Sequence, residues 1–312
     1  MKLRNKIFVL IMAIVTLFSA TGCATIKDGS RITTAVMTLR FYRADGTSST
    51  STVKLELYEN NAPKTVAHIK KLINDKYYDG VCVNNIANHF IEIGEYQYTD
   101  VADMKITKGF EKKAYDVNKY GTLKGEFHDN GVTGQKLSSG KGAILMKHDR
   151  VQTSAEVDEF DTATSGLIFI TNNTVDFNKN KYCVVGKMVE TDGDPSLEDT
   201  TASVDQIDRS KLSSFAIINS IHSYNVKSTN DISTTTYYQA STQKWFELVT
   251  GNGEQTVYEI TSGTRELTDS EQDLFINNVQ NTISTGGFKD EYYDYFKIPY
   301  QKIVVDTIRI SK

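Results

Sequence analysis

The chain has 312 residues, 39% of them hydrophobic and 24% charged. That is an ordinary globular balance, long enough for a good-sized core or for one domain with a large elaboration. The net charge of −4 becomes −7 when residues 1–22, with three basic and no acidic side chains, are set aside; an acidic, unclustered balance argues against a nucleic-acid partner, and only three prolines argue against a proline-rich ligand.

Lys2, Arg4 and Lys6 precede an apolar run from Ile7 to Phe18. Its 12 residues are too few to span a bilayer comfortably and have the length of a signal-peptide core. Ala20-Thr21-Gly22-Cys23 follows and resembles a bacterial lipobox, which implies acylation at Cys23 and an exported protein anchored to the outer face of the bacterial cell membrane. A plain secretory peptide with an incidental cysteine is the alternative. Cys82 and Cys183 sit in apolar strand patterns, where they either pair or serve as small buried hydrophobes. No Cys/His grouping has zinc-ligand spacing, and no metal or cofactor is expected.

After a short tether over residues 23–31, Ile32 to Tyr42 reads as a strand, and Asp45-Gly46 lies in a loop leading to a second. In that second strand Val53, Leu55 and Leu57 alternate with Lys54, Glu56 and Tyr58, the period of a half-buried strand. Pro63 suits a helix start, and Val66, Ile69, Leu72 and Ile73 form one helical stripe. Tyr77-Tyr78-Asp79-Gly80 turns the chain into residues 81–96, VCVNNIANHFIEIGEY. A polar crossing over residues 97–141 contains Leu123-Lys124-Gly125-Glu126-Phe127 and Asn130-Gly131. Gly142 to Met146 and Leu167 to Ile170 read as strands on either side of a polar loop, and Tyr182-Cys183-Val184-Val185-Gly186-Lys187 as another. Helices are expected over Asp205–Ile221 and Thr268–Ile283, the second opened by a Thr268/Glu271 capping box. Lys244–Val249 and Gln255–Ile260 flank Gly251-Asn252-Gly253, a hairpin signal, and Ser/Thr-rich residues 228–243 are expected as a surface loop. The acidic, aromatic run Lys289–Phe296 is either a partner contact or a segment packed on its own domain. Ile298 to Ile310 has the alternation of a closing strand.

Leu55-Glu56-Leu57-Tyr58, Ala62-Pro63-Lys64-Thr65-Val66 and Tyr77-Tyr78-Asp79-Gly80, in this order and spacing, resemble the opening of the cyclophilins, the barrel-type peptidyl-prolyl isomerases. The resemblance continues through Leu123–Phe127, Gly142–Met146, Leu167–Ile170 and Tyr182–Lys187, fails from about Thr191, and returns at Ile298–Ile310. It implies a mainly β fold with capping helices: a cyclophilin-like closed β-barrel over residues 32–190 and 298–312, with an α+β insertion at 191–297 before the last strand. It also implies proline-containing peptide segments or exported proteins as partners, and leaves the insertion as a candidate contact for an unidentified surface component.

X-Pro rotation faces a barrier of roughly 18–20 kcal/mol. A catalyst needs an apolar pocket for the ring and a donor aimed at the proline nitrogen, so that the transition state is bound better than the ground state. The resemblance places Phe90, Met146 and Phe169 at the pocket, with Ile91 and Phe177 beside them and Tyr182 at a histidine position. It places Asn85 at the arginine position, Ile93 and Leu167 at two glutamine positions, and Lys147 where a small residue is usual. The apolar floor is kept and the polar catalyst is largely gone. The expectation is a weak isomerase or folding helper, with a non-catalytic peptide- or protein-binding module as the alternative.

Overall fold

The computed structural model describes residues 31–127, 130–132, 137, 139–148, 151–152, 158–159, 162–172, 182–194, 209–284 and 294–311. The leader, Cys23 and Phe177 lie outside the described residues. Among the described residues no helix is long and apolar enough to cross a membrane.

Strands β1 (Ile32–Tyr42) and β2 (Ser48–Tyr58) form the expected hairpin. Their period-2 pattern sends Ala35, Met37, Leu39 and Phe41 inward opposite Leu55 and Val53, and leaves the alternate residues on the outer side. The other barrel strands are β3 (Val81–Ala87), β4 (Phe90–Tyr98), β6 (Ala143–Met146), β9 (Leu167–Ile170), β10 (Val184–Met188) and β17 (Ile303–Ile310). Their order is β3-β17-β1-β2-β10-β6-β9-β4, and β4 pairs back onto β3, so the eight antiparallel strands close a barrel without a free edge. Short β5 (Phe110–Lys112) adds to the far end of β4. Closure needs tight spots: Gly94 has φ +108°, and a Cβ there would lie 2.3 Å from the Ser165 carbonyl oxygen.

Helix α1 (Pro63–Asn74) buries Val66, Ile69, Leu72 and Ile73 against the core, and Pro63 occupies its first turn. Its N-terminus has no cap from Ala62. Instead the Glu126 carboxylate accepts from Lys64 N (3.2 Å), Thr65 N (2.7 Å) and Thr65 Oγ1 (2.8 Å). The Leu123–Phe127 signature therefore supplies, from 61 residues away, the anion a helix start favours. A four-residue turn, α2 (Val117–Tyr120), and a small β7/β8 hairpin (Val151–Gln152, Asp158–Glu159) decorate the crossings.

Between β10 and β17 the chain adds a second sheet and two helices, within the same compact unit as the barrel. The expected helix Asp205–Ile221 is shorter: α3 spans Ser214–Ser220, followed by a 3-10 turn Ile221–Tyr224. Ser213 Oγ accepts from Ala216 N at 3.1 Å and fixes the start there. Strands β11 (Lys227–Thr229), β12 (Ile232–Gln239), β13 (Lys244–Gly251), β14 (Glu254–Glu259) and β15 (Arg265–Glu266) form a sheet in sequence order, with β16 (Tyr295–Ile298) also paired to β12. The surface-loop expectation for residues 228–243 is overturned: β12 is an inner strand, because β-branched Thr234–Thr236 followed by Tyr237 and Tyr238 favour a pleated surface packed on both sides. The Asn252-Gly253 turn has φ +54° and +81°, the geometry of a tight hairpin. Helix α4 (Asp269–Ser284) starts at the expected box, Glu271 accepting from Thr268 N (2.9 Å) and Thr268 Oγ1 (3.0 Å).

One face of this sheet (Tyr237, Phe246, Val257) packs on Phe275 and Val279 of α4, while Leu274 is 63% exposed. The opposite face (Tyr238, Trp245, Phe296, Ile298) packs on Cys82, Tyr96, Tyr98 and Val304 of the barrel. Cys82 and Cys183 are buried thiols.

Candidate functional site

The site of interest lies where β3 and β4 meet the added sheet. Alternation along the paired strands separates the expected groove residues into two sets. Phe169 stands between Ile91 and Ile144, and Leu167 between Ile93 and Met146. All of these belong to the core cluster that contains the inward Leu55 and Leu57. Thus Ile91, Ile93, Met146, Leu167 and Phe169 are brought together on the inner side of the barrel wall. Phe90 and Tyr182 are brought together in a second cluster with Leu145, Ile168, Ile170 and Val184. Tyr182 stacks on His148 with centroids 4.5 Å apart.

Asn85 is paired across the strands with Glu92, on the side of β4 that carries Phe90. It is 3% exposed. Its Oδ1 accepts the backbone N–H of Lys297 at 3.1 Å, so the side chain caps an edge donor of β16. Its neighbour Asn84 is 1% exposed, and neither end of its amide has a hydrogen-bond partner among the described residues. Each such unmet group costs about 1–3 kcal/mol.

Sequence reasoning did not anticipate the charges here. Lys147 Nζ lies 2.5 Å from Glu95 Oε2 and 3.4 Å from Glu92 Oε2, and the ring of Phe296 lies 5.0 Å from the same ammonium. Burial pushes the Glu92 carboxyl up, and Lys147 offsets this only in part. Burial pushes Glu95 the same way, but the charge and hydrogen bond of Lys147, with Lys112 further off, outweigh it and hold Glu95 below its ordinary range. The arrangement is a buried ionic triad sealed by an aromatic ring. The signal was present in the sequence: two glutamates inside the apolar run Phe90–Tyr96, and a lysine where the family pattern carries a small residue.

Two further polar groups come from the added segment. Burial lowers the Lys297 ammonium. His222 Nε2 lies 2.6 Å from Thr171 Oγ1, and burial, then the charges of Lys297 and His89, bring its imidazole down to about 4, so it is neutral at pH 7. Around Asn85 the structure therefore offers a covered polar face with hydrogen-bond donors, acceptors and the sealed Lys147 ammonium. Among the described residues no cluster of His, Cys, Asp or Glu is arranged to hold a metal ion.

A closed eight-stranded antiparallel barrel, with α1 packed on its core and the Glu126 cap, defines a protein of the cyclophilin class. Residues 45–222 match the family model described as cyclophilin type peptidyl-prolyl cis-trans isomerase/CLD, and the chain belongs to that family. The match ends before β17 and includes α3. Solved structures similar to this chain include a cyclophilin type peptidyl-prolyl cis-trans isomerase from Cryptosporidium parvum, 18% identical, covering 57% of this chain and 90% of its own at TM-score 0.31. The same Cryptosporidium parvum protein, solved in the presence of the dipeptide Ala-Pro, gives 18% identity, 56% and 90% coverage and TM-score 0.31. A cyclophilin from Hirschia baltica is 14% identical, covering 48% of this chain and 63% of its own at TM-score 0.26. No curated protein matches.

Proposed function

We propose that this chain is an exported, lipid-anchored cyclophilin-type folding helper whose X-Pro turnover is weak. The observation that carries the reading is Asn85, which the resemblance puts at the arginine position and which already spends its Oδ1 on Lys297 N–H. A hydrogen bond to a charged group contributes about 1.5–3 kcal/mol against about 1 for a neutral one. Loss of the charge alone therefore slows turnover by ~10-fold or more relative to an arginine-bearing family member. Ile93 and Leu167, read as former glutamine positions, point the same way, since neither side chain can hold a donor in place. Exchange spectroscopy on an X-Pro peptide tests this, and rates equal to those of an arginine-bearing member overturn it. Export and anchoring rest on the leader and Cys23. In a bacterial host, Cys23→Ser should move the protein from the membrane fraction to the soluble exported fraction; unchanged membrane recovery refutes the anchor.

A second reading, a non-catalytic peptide- or protein-binding module, is favoured by β16, whose backbone covers the Asn85 side chain.

A further inference from the structure

We infer that the strand Tyr295–Ile298 and the Pro299-Tyr300 that follows are a built-in ligand of the Asn85 face, held in the place of an outside proline-containing peptide. The inference rests on the reading of Asn85 as the family's arginine position, and it concerns what occupies that face.

Four observations support it. The chain has three prolines, and one of them, Pro299, lies two residues after the backbone N–H that reaches Asn85. Ile298 and Pro299 are both buried, so an Ile-Pro pair is enclosed next to the β3 strand of a prolyl isomerase barrel. The segment is extended and pairs on one edge with β12 over four residues, which leaves Lys297 N–H for the barrel. Phe296 lies over Lys147 and meets Tyr96 at 5.7 Å, as an aromatic anchor next to the bonded position. An extended strand bonded through its backbone, with side chains in pockets, is how peptides are bound at sheet surfaces.

The fit is incomplete. Asn84, 1% exposed, keeps both amide atoms without partners among the described residues. Permanent packing within one body selects against such groups. A face that exchanges its own strand for another retains them, because the second occupant uses them. The class of ligand follows: an extended peptide with an aromatic residue two positions before an apolar X-Pro pair, capable of donating to Asn85 and Asn84.

The test uses the full chain and, as probe, the capped peptide Tyr-Phe-Lys-Ile-Pro-Tyr, with a counterpart in which the proline is alanine. Trp245, the single tryptophan, packs at 5.1 Å from Phe110 of β5, between the added sheet and the barrel, and reports their separation by its emission. Phe296→Ala should shift that emission to the red and bind the probe at least ~10-fold more tightly than the unaltered chain, because the competing strand is weakened. The alanine counterpart should bind more weakly, and amides of β13 and β14 should stay protected from exchange. If that protection is lost, Ile298→Ala replaces Phe296→Ala in the same comparison. Equal probe affinity in variant and parent, or indifference to the proline, overturns the inference. Family-level turnover by Phe296→Ala would instead overturn the assignment of weak turnover to Asn85 and leave the self-ligand standing.

Discussion

Replacing Lys147 by methionine isolates the buried triad. The side chain keeps much of its length and loses only the ammonium, which sits 2.5 Å from Glu95 and 3.4 Å from Glu92. Breaking one member of a buried charge set strands the others, at a cost of about 3–5 kcal/mol. For a protein of this size that is a fall in Tm of roughly 10 °C. The pH dependence has a definite sign. Glu95 has a lowered carboxyl in the fold, so it contributes stability above its unfolded value and loses it as pH falls through its folded one. Glu92 is raised, so its contribution is present below its unfolded value and is lost as pH rises through its folded one. Without Lys147, burial is opposed only by the Asn85 hydrogen bond at Glu92 and by the Lys112 charge at Glu95, and both carboxyls move up. Lys147→Met should therefore be strongly destabilised at pH 7, with the deficit shrinking as acid protonates the pair. Glu92→Gln should be neutral or stabilising at pH 7. Urea or thermal melts from pH 4 to 8 measure all of this. A deficit under about 1 kcal/mol that does not change with pH would refute the triad, since that is the size of a solvated surface pair.

Other consequences are simpler. Lys302 is 2% exposed, and its ammonium donates to the carbonyls of Asp100, Asp103 (2.7 Å) and Lys108 (3.1 Å). Lys302→Met strands those carbonyls, should cost about 2–4 kcal/mol, and should speed amide exchange across residues 100–109; unchanged exchange there contradicts the role. Asn85→Arg places a guanidinium beside the buried Glu92 and beneath β16. It should leave turnover low in the full chain, and a clear gain in rate would mean that β16 does not obstruct the face.

Much of the barrel is legible in the sequence because its cues are local. Alternation over Val53–Leu57 gives a strand, and Pro63 with the Val66–Ile73 stripe gives a helix. Asn252-Gly253 gives a turn because Gly adopts positive φ without strain and Asn adopts it more readily than most residues. The added sheet is less legible. The Thr-rich stretch 232–236 looks polar, and only its neighbours β13 and β16 make it an inner strand. The start of α3 depends on which of several serines caps it, and Ser213 does so with Asp192 supporting Ser214 at 2.6 Å. The site is the least legible in the sequence. Register within the barrel wall decides whether Ile91, Ile93 and Phe169 face in or out, and two shifts along β3 change the phase between Val81 and Asn85. No sequence pattern announces that Lys297, 212 residues away, will bond to Asn85.

The chain belongs to the cyclophilin-type family, and we propose that Asn85, beneath its own strand, stands where the family carries a charged donor. The measurement that tests it most directly is the cis–trans exchange rate of an X-Pro peptide with the full chain, beside an arginine-bearing family member at equal concentration. A rate at least ~10-fold lower is expected from the lost charged donor; a rate equal to that of the arginine-bearing protein would contradict the account.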